Sequence, residues 1–329
     1  MLNPSSFTQR ILRFALAAAV SGTMATAALG QAAWPNKPIR LLVGFPPGGT
    51  VDVMARTLAD QLTTALGQPV IVDTKPGASG NLAAGEVVKA APDGYTLLVS
   101  STSVETANPS LFKAPFAPAT DLHPINSIGR AAIYLIAKPN FEATDVKGLV
   151  AIAKARPGTL SYGSAGVGTQ LHLAAELFKQ NAGFEASHVP YKGAAPAVQD
   201  VMGGQTDFVL DPGISLPFVQ AGKVKLLGVL SSRRSSFFPQ VPTLAEQGIP
   251  GTELDIWFGI WAPRGTPLAI AERLNRELSR LLEQPVVRER FAKFGAEPAV
   301  IGGPAFQKLL VSEREVFSRL IRERHITAD

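Results

Sequence analysis

The chain has 329 residues, 46% of them hydrophobic and 17% charged, with a formal net charge of +5 and no cysteine. That balance excludes a disordered chain and a disulfide-stapled fold, and the length suits one large domain or two ordinary ones. Residues 1–33 carry two of the arginines and no acid, so the remainder has a charge of +3; with 7% aromatics and no basic run beyond Arg233-Arg234, nucleic acid is not an expected partner.

Residues 1–33 read as a secretory signal peptide. Arg10 and Arg13 precede the uncharged stretch FALAAAVSGTMATAALG, and small residues offer cleavage near 30–33. The stretch is too weakly apolar for a membrane anchor. There is no twin-arginine pair and no cysteine to carry a lipid anchor. An exported, periplasmic protein is expected, with packing alone holding it together.

The mature chain begins with strand-like IRLLVGF, then the helical pattern VDVMARTLADQLTTAL stopped by Gly67. QPVIVDT reads as a strand running into the loop KPGASG. NLAAGEVVKAAPDG reads as a helix, YTLLVSS as a strand and TSVETANPSL as loop and turn. This βαβαβ order predicts a parallel sheet. Residues 125–137 (INSIGRAAIYLIA) read as one long strand crossing between domains.

A second series follows. Helical DVKGLVAIAKARPG leads to strand SYGSAG, helix TQLHLAAELFKQNAG, strand SHVPY and helix AAPAVQDVMGGQ. Strand DFVLDPG, short helix ISLPFVQAGK and strand KLLGVLS come next. DIWFGIWAP reads as the return crossing, and three helical stretches from Thr266 to Arg324 close the chain. The expected class is α/β, with two lobes that are each a mainly parallel sheet flanked by helices. Lobe one comprises 34–131 plus 256–329 and lobe two 132–255. Ligands of such sheets sit at the carboxyl ends of the strands.

Two glycine-rich turns stand at such ends. GFPPGGTVD (44–52) joins a strand to a helix, so backbone N–H groups and the helix dipole favour an anion there. It is neither GxxxxGK[ST] nor GxGxxG, so phosphate-loop and dinucleotide readings are not supported. YGSAGVGTQLHLAAE (162–176) is the second, with three glycines and Thr169 at the helix start. His172 has Glu176 four residues on; a lone helical histidine is more often packed than catalytic.

The histidines His123, His172, His188 and His325 show no HxxxH spacing, and there is no thiol, so no metal or cofactor is expected. Asp52 suits a helix N-terminus. Asp211 ends a strand and is read either as facing the cleft or as a cap. Glu105 is read as a solvated loop charge, with a cleft position as the alternative. Serine in GSAG is not in nucleophile-elbow spacing, which weighs against a secreted hydrolase using Ser164, His172 and an aspartate. No oriented acid–base pair stands out, so reversible binding of a small anion is favoured.

The mature chain resembles the Bug-type periplasmic solute-binding proteins of tripartite tricarboxylate transporters. The resemblance rests on WPNKPIRLLVGFPPGGTVD, KPGASGN, APDGYTLL, NPSLF, LSYGSAGVGTQLHLAAELF, HVPYKGAAPAVQDVMGGQTDFVLD, AGKVKLLGV and VPTLAEQGIPG, in that order. It implies a type II periplasmic-binding-protein fold that closes on a ligand carboxylate held by the two facing loops. Carried over onto this chain, the first loop supplies Phe45, Pro46, Gly48, Gly49 and Asp52. The second supplies Ser164, Gly166, Gly168 and Thr169, with His172 behind, while Asn81, Ser101, Thr102 and Asp211 fall at matching cleft positions. The implied ligand is an organic acid, aromatic acid or amino acid. The implied partners are integral membrane transporter subunits, or a sensor protein if the loaded form signals instead. The stretch SSTSVETANP departs from the usual pattern by placing Glu105 near the cleft.

Overall fold

The computed structural model describes residues 34–328. The predicted signal peptide, 1–33, lies outside the described residues. Strand β1 (Ile39–Val43) is almost wholly buried, as expected of a strand covered on both faces. Helix α1 (Thr50–Leu66) follows, burying Val51, Met54, Ala55, Leu58 and Leu62 at helical spacing. It ends where Gly67 turns left-handed (φ 68°) and donates its N–H to Thr63. Strand β2 (Val70–Thr74), helix α2 (Asn81–Lys89) and strand β3 (Thr96–Ser101) complete the expected alternation. The stretch read as loop and turn contains a one-turn helix, α3 (Ser103–Thr106), and a 3-10 turn, Asn108–Ser110.

After the short α4 (Pro118–Asp121), the expected long strand is in fact two. Strand β4 (Leu122–Ala132) lies in the first sheet and β5 (Tyr134–Ala137) in the second, with Ile133 between them. Apolar periodicity runs on through the junction because both sheets bury it, so the change of partner leaves no mark on the pattern. The second series is α5 (Val146–Ala155), β6 (Ser161–Ser164), α6 (Gln170–Ala182), β7 (Ser187–Pro190), α7 (Ala194–Met202), β8 (Phe208–Asp211), α8 (Leu216–Gln220) and β9 (Lys225–Val229). The chain returns through β10 (Asp255–Pro263), which lies wholly in the first sheet; Leu254 just before it donates its N–H to Leu230. Helix α9 (Leu268–Leu282), helix α10 (Pro285–Ala292), strand β11 (Ala296–Glu297) and helix α11 (Gly303–Glu323) end the fold.

The six-stranded sheet has the order β11-β4-β10-β3-β1-β2, and the five-stranded sheet β7-β6-β8-β5-β9. Pairing is parallel for β1 with β2 and β3, and for β6 with β7 and β8. The connecting strands add antiparallel pairs, β10 to β3 and β4 and β5 to β8 and β9, so both sheets are mixed. Most strands in each still share one direction, β10 and β11 being reversed in the first sheet and β5 in the second.

Each sheet has its own core. Leu42, Leu98, Trp261 and Phe306 pack against α2 on the first; Tyr134, Ile136, Val198 and Val209 pack on the second. A third cluster, Phe317, Leu320 and Ile321 of α11 with Leu173 of α6, seats the C-terminal helix against the second series. From Lys37 onward the chain is one compact unit.

Candidate functional site

A cavity of about 70 Å3 is walled by both sheets. From the first sheet come Phe45, Pro46, Pro47 and Gly49 of the β1–α1 turn, Thr50 and Val51 of α1, Ser101 at the end of β3, and Ile256 and Phe258 of β10. From the second come Ala165 and Thr169 of the β6–α6 turn, Gln170 and Leu171 of α6, Gly193 to Pro196 at the start of α7, and Pro212 and Ile214 after β8. The walls therefore include the first turns of three helices, α1, α6 and α7. The first N–H groups of a helix have no partner within it, and the dipoles add partial positive charge. Three such ends around one apolar pocket make a receptor for an anionic group without a charged side chain.

The turns of the two sheets also touch. Ser79 donates its hydroxyl proton to the Val167 carbonyl. A Cβ on Gly193 would stand 3.3 Å from Pro46 Cδ, and one on Gly168 2.5 Å from Leu111 Cδ1. The cleft is closed over the cavity in this conformation.

Of the residues expected at the site, Phe45, Pro46, Gly49, Ser101 and Thr169 line the cavity. The others stand behind it. Gly48 (φ 80°) donates its N–H to Asp52, whose carboxylate also accepts from Arg56, so Asp52 caps the turn into α1. Thr169 is the N-cap of α6; its hydroxyl accepts from His172 N and donates to Gly166 O. Asn81 accepts from Asn108 Nδ2 at 2.8 Å and lines a separate surface pocket with Phe112 and Lys113. Asp211 is fully buried, not open to the cleft: one carboxylate oxygen accepts from Gly213 N, Ser215 N and Ser215 Oγ, capping the turn after β8. Burial pushes its carboxyl above the usual range. Ser101 Oγ is 2.7 Å from Ser103 Oγ, and Thr102 joins Glu313 to Gln170.

Ser164 does not pair with His172, as the disfavoured hydrolase alternative would need. Ser164 Oγ lies 2.7 Å from His188 Nε2, and His188 stacks on His172 with ring centroids 3.9 Å apart. His172 Nδ1 accepts from Gly168 N, which supports the loop from behind. Burial pushes His172 down to about 4 and His188 down to about 3, so both are neutral at pH 7. Glu176 does not bond His172 but accepts from Tyr162 Oη, Lys179 and Arg324. Burial works against its charge, yet the bonds to Lys179 and Tyr162 overrule it and hold the carboxyl below the usual range.

Glu105 is not a solvated loop charge. It is 1% exposed, ion-paired to Arg314 at 2.8 Å and bonded by Trp261 Nε1 at 3.0 Å. Its carboxylate belongs to the packing between α3, β10 and α11. The sequence reading also missed the third turn, Gly193-Ala194-Ala195. Its signal was present: one glycine (φ 143°) between a strand and a helix, at the carboxyl end of its strand as in the other two turns.

Two lobes, each an α/β sheet, with a closed pocket walled from both and rimmed by helix N-termini, define a binding protein that encloses its ligand. Residues 54–326 match the family described as tripartite tricarboxylate transporter family receptor, and the chain belongs to that family. It is 38% identical over 297 residues to Protein BugT of Bordetella pertussis, covering 88% of this chain and 90% of that protein. Among solved structures, Rpa4515 of R. palustris with adipate is 34% identical with a TM-score of 0.84, covering 89% of this chain and 99% of that one. MatC from Rhodopseudomonas palustris with bound malate is 30% identical with a TM-score of 0.80, covering 88% and 100%. The fold is the two-lobed fold of these binding proteins. No described helix is long and apolar enough to cross a membrane.

Proposed function

We propose that this chain is a periplasmic solute-binding protein, exported by cleavage near residues 30–33, that captures a small carboxylate between its lobes and delivers it to integral membrane transporter subunits. The observation that carries the reading is the convergence of the first turns of α1, α6 and α7 on one apolar pocket. Backbone N–H groups there bind a carboxylate, with Thr50, Ser101 and Thr169 as the hydroxyl-bearing residues of the wall. Asp52, Gly48, Gly166, Gly168, Ser164 and His172 hold the two turns in shape, and Asn81, Thr102 and Asp211 brace the surrounding loops. The ligands of the adipate- and malate-bound relatives support a carboxylate.

The lobes divide near Ile133 and at 254/255, within two residues of the expected 131/132 and 255/256 because Ala132 and Asp255 still pair in the first sheet, and they open by bending near 130–134 and 254–258. The protein performs no bond-breaking step. Ser164 is fully buried, and burial makes its partner His188 resist gaining a proton, which suits a structural pair rather than a nucleophile and base. Mass spectrometry of small molecules released on denaturing the purified protein tests the reading, followed by a thermal-shift panel of carboxylic and amino acids. A carboxylate found bound, or one that raises Tm, is the expected result. No response to any carboxylate would overturn the assignment.

A further inference from the structure

Thr102 sits where the hydrogen bonds of the two sheets meet. Its Oγ1 is 2.6 Å from Glu313 Oε2 on α11 and 2.5 Å from Gln170 Nε2 on the first turn of α6. All three residues are buried. A hydroxyl has one proton to give, and an ionised carboxylate can only accept. With Glu313 ionised, Thr102 therefore donates to it and must accept from Gln170. That orders the amide: its NH2 faces Thr102, and its Oε1 is the free end. Oε1 is buried and has no partner, although Gln170 lines the cavity. Thr50, which lines the same cavity, also carries a buried hydroxyl without a partner. A bound molecule that satisfies Oε1 has to bring an N–H or O–H donor.

Given the carboxylate pocket proposed above, we infer that Gln170 selects carboxylates that also carry a hydroxyl or amino donor, over acids of the same skeleton without one. Glu313 is the positioning residue, because its charge decides which way the chain of donors runs. A glutamine at 313 has its own NH2 to offer Thr102. Thr102 is then free to donate to Gln170 Oε1, which turns the NH2 of Gln170 to the ligand and removes the demand for a donor. Thr106 is the other hydroxyl partner of Glu313, Asp255 is the charge that acts on it, and burial pushes its carboxyl up to about 7. Work at pH 8 puts most of it in the ionised form.

The test is calorimetry at pH 8 with matched sets: succinate against malate and aspartate, propionate against lactate and alanine, 3-phenylpropionate against phenyllactate and phenylalanine. The wild-type protein is expected to bind the donor-bearing member of its preferred set at least tenfold more tightly. Gln170→Met is expected to bring that ratio close to one, and Glu313→Gln, at a residue that does not line the cavity, to reduce or reverse it. A ratio of one in the wild type, or an unchanged ratio in both variants, overturns the inference while leaving the carboxylate pocket intact. Failure of every acid to bind overturns the pocket reading and this inference with it. Folding is checked by circular dichroism, and a misfolded Gln170→Met leaves Glu313→Gln to decide.

Discussion

Glu105 shows how far a single side chain can stand from its appearance in sequence. Among loop residues it reads as a solvent charge, but α11 brings Arg314 to it from 209 positions away. Burial raises its carboxyl above the usual range, and the bonds from Trp261 and Arg314 only partly offset that. Removing one partner of a buried ion pair leaves the other uncompensated. Glu105→Ala is expected to lower stability by about 3 kcal/mol in urea unfolding, with the ranking of ligands unchanged. The buried histidines and Glu313 set opposite pH limbs. His172 and His188 have folded values near 4 and 3 against 6.5 when free, so the stability they contribute is present above pH 6.5 and is lost as pH falls through 4. Glu313 has a folded value near 7 against 4.5, so its contribution is present below pH 4.5 and is lost as pH rises through 7. In Tm scans between pH 4 and 8, His188→Gln should flatten the acid limb and Glu313→Gln the alkaline one.

The β6–α6 turn joins chain conformation to closure. Gly168 is left-handed (φ 77°), and a methyl there would strike Leu111 of the opposite lobe. Gly168→Ala is expected to weaken ligand binding at least tenfold in calorimetry and to leave far-UV circular dichroism unchanged. Thr169→Ala removes the N-cap of α6, and a loss of about 1 kcal/mol in denaturant unfolding is expected. The β1–α1 and β6–α6 turns were legible in sequence as glycine runs between a strand pattern and a helix pattern. The α7 turn, with one glycine, was not singled out as site, although it supplies four of the residues lining the cavity. The division of 125–137 into β4 and β5 was equally hidden, since the buried run continues from one strand into the next.

Closure of the two lobes should appear as a change of the whole particle. A ligand at a hundred times its Kd stabilises the folded state by about 2.7 kcal/mol, enough to move Tm by several degrees. Small-angle scattering should show the radius of gyration of the free protein at or above that of the loaded one. A ligand that raises Tm without altering an open population would mean that the closed form already predominates, as the contact of Ser79 with Val167 suggests. The packing of α11 against α6 through Phe317 and Leu173 ties the end of the chain to the second lobe. Truncation after Arg314 is therefore expected to destabilise both lobes and not the first alone.

The order of strands and helices, the two glycine turns and the small-anion chemistry were carried by local features: apolar period, helix stops and loop composition. These depend on neighbours a few residues apart, which a linear chain displays. The partner of Ser164, the ion pair that buries Glu105, and the relay from Glu313 through Thr102 to Gln170 depend on pairs 24 to 211 residues apart. No periodicity encodes which distant donor meets which acceptor. Those pairings arise only when the sheets close and water is excluded, because an unpaired polar group is then costly and each must find a partner.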